Sequence, residues 1–108
     1  MITPVQNKQQ AFERIHSHQS ALKQFGAARI GLFGSFVRGE QTDDSDVDFV
    51  VEFAEGKKTF RNFINMVYYL EKVMDREVEL LTWEGMASFV KREAEKEIEY
   101  APITDQNF

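Results

Sequence analysis

The chain has 108 residues, 43% of them hydrophobic, with ten Phe, no Cys and a formal net charge of −5. That length suits one domain with its own core, and the lack of Cys excludes disulfides and thiolate chemistry. The acidic balance argues against a general nucleic-acid binder, which needs a basic face to displace counterions, and no apolar run approaches the length of a membrane span.

Met1 to Gln10 lack the basic-then-apolar pattern of a secretory leader, so a cytoplasmic location is the expectation. Thr3-Pro4 looks like a helix start. Phe12, Ile15, Leu22 and Phe25 then recur at helical spacing until Gly26. Ala28 to Phe33 is a short apolar strand, Ser35 to Gly39 a single helical turn, and Glu40 to Ser45 a polar loop. Val47 to Phe53 is the strongest strand, because Val47, Phe49, Val51 and Phe53 alternate. After the turn Glu55-Gly56-Lys57-Lys58, Thr59 can cap a helix carrying Phe60, Phe63, Ile64, Val67, Tyr68 and Leu70. Glu77 to Thr82 predicts a third strand and Trp83 to about Ile98 a final amphipathic helix; Pro102 stops regular structure, and Thr104 to Phe108 is a loose tail.

The expected fold class is α+β with α/β-like alternation: a small mixed sheet of about three strands, packed with helices mainly on one face. The expected organisation is one domain over 1–108, divided into an N-terminal helix (1–27), a sheet core (28–82), a C-terminal helix (83–100) and a tail (101–108).

Chemistry concentrates between residues 34 and 51. Gly34-Ser35 follows the first strand, and Asp46-Val47-Asp48 opens the second. Strand alternation sends Asp46 and Asp48 to one face and Val47, Phe49 and Val51 to the other. Two like charges held together are costly unless a cation neutralises them, and hard oxygen ligands suit Mg2+ carrying a nucleoside triphosphate. Gly34 permits a tight turn with backbone close to a ligand. Ser35 offers a hydroxyl and an N–H where phosphate oxygens are favoured. Arg38, one turn on, can reach a phosphate or pair with Asp46 or Asp48. His16 and His18, two apart on a helix, do not share a face and are expected at the surface, not as ligands.

The string Gly34-Ser35-x-x-Arg38-Gly39-Glu40, then Ser45-Asp46-x-Asp48, resembles the signature of the DNA polymerase β-like nucleotidyltransferase superfamily, and in particular its minimal nucleotidyltransferase branch. The resemblance runs from the first helix to Tyr100; Gly34 to Val51 is its specific part. It implies a two-metal site, with Mg2+ held by Asp46 and Asp48, and ATP or another nucleoside triphosphate bound through Gly34, Ser35 and Arg38. The family's third acid, usually Asp, falls on a later strand, and Glu79 best matches it. The resemblance implies that Asp46, Asp48 and Glu79 are the catalytic and metal-binding set, with Glu79 helping to hold metal and accepting the proton of the attacking hydroxyl. Glu is one methylene longer than the usual Asp.

The resemblance further implies transfer of a nucleoside monophosphate, AMP from ATP, to a hydroxyl. The implied acceptor is a tyrosine of a HEPN-domain toxin, with this chain as the antitoxin. Two alternatives stay open: a catalytically weak or inactive nucleotide- and partner-binding module, kept alive by Glu79, and an antibiotic-type, small-molecule nucleotidyltransferase acting as a homodimer. The Phe60/Phe63/Val67 face and the final helix are candidate association surfaces.

Overall fold

The computed structural model describes residues 2–103. Its elements are α1 (Lys8–Ser17), α2 (Gln19–Gln24), β1 (Ala27–Phe33), α3 (Ser35–Arg38), β2 (Val47–Phe53), α4 (Phe60–Met74), β3 (Val78–Thr82), α5 (Ser88–Glu97) and β4 (Glu99–Pro102). Four strands form one sheet in the order β3-β2-β1-β4. β1 is antiparallel to β2 and to β4, and β2 is parallel to β3. A parallel pair needs a long crossover, and α4 supplies it.

The alternation of β2 sorts two cores. Val47, Phe49 and Val51 are fully buried with Ile15, Leu22, Met66 and Leu70 from α1, α2 and α4. Val50 points the other way, into a smaller cluster with Met86 and Ala94, against which Leu81, Val90, Ile98 and Tyr100 pack. Most helices therefore cover one face and α5 covers the other. Thr59 caps α4 as its sequence suggests, its side chain accepting from the Asn62 N–H at 3.1 Å. At the far end Arg14 Nη1 donates to the Val73 and Met74 carbonyls at 3.0 and 3.2 Å, satisfying acceptors a helix C-terminus leaves open.

Four features depart from the sequence expectation. The first helix starts later, at Lys8 with Asn7 as cap, because Val5 is drawn into the core and its N–H donates to the Met74 carbonyl at 2.9 Å. That helix also breaks after Ser17: the His18 ring, half-buried, holds the Arg14 carbonyl at 2.8 Å through Nδ1 and meets Tyr69 edge-on. The last helix begins at Ser88 and gives way at Ile98 to β4, where regular structure continues to Pro102. β4 forms because Gly31 leaves room for it: a Cβ there would lie 2.8 Å from Ile98 Cδ1 and 3.0 Å from Tyr100 Cε1. Finally, Phe63 and Val67 pack against the core, whereas Phe60 and Tyr68 are 80% and 67% exposed. The expected loose tail, Thr104 to Phe108, lies outside the described residues.

Candidate active site

One row of residues crosses the sheet: Phe33 on β1 pairs with Asp48 on β2, and Asp48 with Glu79 on β3. Paired residues on neighbouring strands point to the same face, here the face covered by α5. Asp48 and Glu79 are thus brought together from positions far apart in the chain. Asp46 precedes β2 and is exposed, while Asp48 is half-buried.

The carboxyl of Asp48 is raised from its ordinary 3.8 to about 7. Partial burial is the largest cause, followed by hydrogen bonding and charge from Glu79 and then the charge of Asp46; Arg38 opposes them. An acid with two acidic neighbours favours either a proton or a cation. The donor set is all oxygen, which suits Mg2+. Among the described residues no group of three acidic or imidazole side chains already stands in a metal-holding cluster. Mg2+ does not require one, since it is commonly bound through one or two carboxylates completed by substrate phosphates and water.

Gly34 connects β1 to α3 with φ 78° and ψ −152°, a conformation essentially restricted to glycine. It is buried, and a Cβ built on it would overlap Asp48 Oδ2. Ser35 begins the short helix and is half-buried, and Gly39 closes it in the left-handed region at φ 73°. Arg38 pairs with neither Asp46 nor Asp48. Its Nε donates to Glu40 Oε1 at 2.7 Å, and its Nη1 donates to Glu97 Oε1 and Oε2 at 3.0 and 2.9 Å.

Two further residues hold this site and carry no motif. Glu97, at the end of α5, also accepts the Gly34 N–H at 3.0 Å. Arg76, just before β3, binds the loop that delivers Asp46. Its Nη1 donates to the Thr42, Asp43 and Ser45 carbonyls at 2.8, 3.2 and 3.1 Å, and its Nε donates to the Val5 carbonyl at 2.7 Å. Its guanidinium also lies 5.2 Å from the Phe36 ring centre. The sequence signal for Arg76 is its place beside the third strand; Glu97 has none, because its partners lie 59 and 63 residues away.

Comparison with known proteins identifies the family of the chain. A nucleotidyltransferase domain family matches residues 15–101. Protein adenylyltransferase MntA of Thermococcus cleftensis is 36% identical over 85 residues, covering 78% of this chain and 85% of that one. MJ1379 of Methanocaldococcus jannaschii, named for an inferred protein adenylyltransferase activity, is 36% identical over 91 residues, covering 82% and 91%. The solved structure of an inferred minimal nucleotidyltransferase superposes with a TM-score of 0.66 at 28% identity, covering 82% of this chain and 93% of its own. A toxin–antitoxin complex with AMP-PNP gives 0.68 at 21% identity over 88% and 75%, a likeness of fold. The chain belongs to the nucleotidyltransferase domain family in its minimal, polymerase β-like form, and is an enzyme of the nucleotidyltransferase class.

Proposed function

We propose that this chain is a cytoplasmic protein adenylyltransferase, the antitoxin of a two-component module. It moves AMP from ATP onto a tyrosine hydroxyl of a HEPN-domain toxin. The observation that carries the chemistry is the Asp48–Glu79 pair, in register on neighbouring strands and seated against Gly34. The names of its relatives in Thermococcus and Methanocaldococcus support protein as the acceptor class.

The acceptor oxygen forms a bond to the α-phosphorus, and the bond to the β-phosphate oxygen breaks, releasing pyrophosphate. Asp46 and Asp48 are the residues that hold Mg2+, which when bound neutralises phosphate charge. Glu79 completes the acidic set and takes the hydroxyl proton. Gly34 and Ser35 bring backbone and hydroxyl against the β and γ phosphates, and Arg38 adds positive charge beside them. Positioning and electrostatics supply most of the rate, as is usual for phosphoryl-type transfer.

The test is incubation of the chain with Mg2+, ATP labelled at the α-phosphate and the protein encoded by the neighbouring reading frame, which the proposal expects to be a HEPN-domain protein. Label on the partner that is lost with Asp48→Ala and with a Tyr→Phe acceptor supports the reading. A folded wild type that neutralises its partner without labelling it moves the function to a binding module.

A further inference from the structure

Gly34 precedes the short α3 helix and Arg38 is its last residue, and one carboxylate holds both. Glu97 Oε1 accepts from the Gly34 N–H and from Arg38 Nη1, each at 3.0 Å, and Oε2 accepts from Arg38 Nη1 at 2.9 Å. Glu97 closes α5, where a negative charge is disfavoured by the helix dipole. Its placement therefore does nothing for its own helix. Its side chain is 22% exposed, so the carboxylate is turned inward toward the turn.

The turn needs such a hold. Gly34 has a backbone conformation with little intrinsic preference to persist, and it lies against the Asp48 carboxylate. A small rotation at Gly34 would disturb Asp48 and the start of α3 together. Arg38 is half-exposed on a long flexible stem, and fixing its fork before a phosphate arrives removes an ordering cost from binding.

We infer that Glu97 is a positioning residue of the nucleotide site: from the far end of α5 it fixes the Gly34 turn and aims the Arg38 guanidinium at the triphosphate. This rests on the nucleotidyltransferase reading of the Asp48 site. The Gly34 N–H is spent on Glu97, so Gly34 serves nucleotide binding through its shape.

Two variants separate the parts of the role. Glu97→Gln keeps an acceptor oxygen for the Gly34 N–H and removes the charge facing Arg38; Glu97→Ala removes both. The measurements are hydrogen exchange at the Gly34 amide, the affinity for AMP-PNP with Mg2+, and KM and kcat for labelled transfer. Loss of a charge-assisted hydrogen bond corresponds to about tenfold or more. Glu97→Ala is expected to lose about tenfold or more in Gly34 protection and in nucleotide affinity, with a lower kcat, while the Leu32 and Val50 amides stay protected. Glu97→Gln is expected to keep Gly34 protection and kcat and to raise KM alone. Variants that melt earlier with unchanged Gly34 exchange, KM and kcat overturn the inference. A wild type that binds AMP-PNP but transfers no label overturns the proposed reaction, and exchange and affinity then still decide the place of Glu97. A wild type that binds no nucleotide overturns both.

Discussion

Gly34 and Asp48 share a space that admits no further atom: a Cβ on Gly34 would fall on the Asp48 carboxylate. The turn proposed to face the phosphates and the acid proposed to hold the metal are therefore one packed unit, although fourteen positions of chain separate them. Gly34→Ala meets two penalties, the contact itself and a φ of 78° that L residues rarely adopt. The strain alone is of order 1–3 kcal/mol. The expected outcome is a folded but destabilised protein that has lost labelled transfer altogether. A variant with wild-type melting temperature and transfer would sink this account of the turn.

Asp48 sets a pH dependence with a definite sign. Its carboxyl titrates at about 7 in the folded chain, against an ordinary 3.8. Between these values the folded state keeps a proton that the unfolded state has released, so stability falls as pH rises through the window. The contribution is fully present below 3.8 and lost above about 7. Asp48→Asn, permanently neutral, is expected to flatten this slope, to melt higher than wild type at neutral pH in EDTA, and to transfer no nucleotide. Melting curves from about pH 4 to about pH 8 check this; parallel slopes in the two proteins count against it.

Glu79 contributes to that titration as the second cause after burial. Glu79→Gln removes its charge, so the Asp48 carboxyl is expected to titrate lower, though still above 3.8 because burial and Asp46 remain. Transfer is expected to fall by about 10²-fold or more, the usual scale for a missing general base. Glu79→Asp retains the charge and shortens the reach by one methylene, so the charge contribution to the Asp48 titration is kept while the hydrogen bond and the rate report the geometry. Carboxyl chemical shifts of Asp48 followed against pH provide the first readout; no movement in Glu79→Gln would separate the two acids.

Much of this was legible in the sequence because it is local. The Gly34-Ser35 turn, the Asp46-Val47-Asp48 strand start and the Thr59 cap are each written within a few residues, and Val47, Phe49 and Val51 face the core as their alternation requires. What was not legible is tertiary. Nothing at Ser17 breaks a helix by propensity; His18 does so by turning to the Arg14 carbonyl and Tyr69. β4 is a four-residue edge strand ending in Pro, which has no pattern of its own. Its one sequence trace is Gly31 in the middle of β1, the mark of a close neighbour across the strand. Arg38 was open to several partners by spacing, and the choice of Glu97 over the aspartates depended on where α5 ends.

Arg76 gives the last prediction, because it fixes the segment through which Asp46 is delivered. One guanidinium joins the Val5 carbonyl to three carbonyls of the Thr42–Ser45 loop. That loop has few other ties: the Thr42 N–H to Ser45 Oγ at 2.8 Å and the Ser45 N–H to the Thr42 carbonyl at 3.1 Å are internal. The same Ser45 precedes Asp46, so movement here is transmitted to the first carboxylate of the pair. Arg76→Ala is expected to cost about 1–3 kcal/mol, the scale for leaving the part-buried Val5 and Ser45 carbonyls without a donor. It is also expected to open the loop to proteolysis near Thr42–Asp44 and to weaken Mg2+-dependent nucleotide binding. Arg76→Lys is not expected to rescue it, because an ammonium has no planar fork to span Val5 and the loop at once. Limited proteolysis set beside AMP-PNP affinity decides the matter: a loop equally resistant in wild type and Arg76→Ala would mean that Asp46 is held by β2 alone.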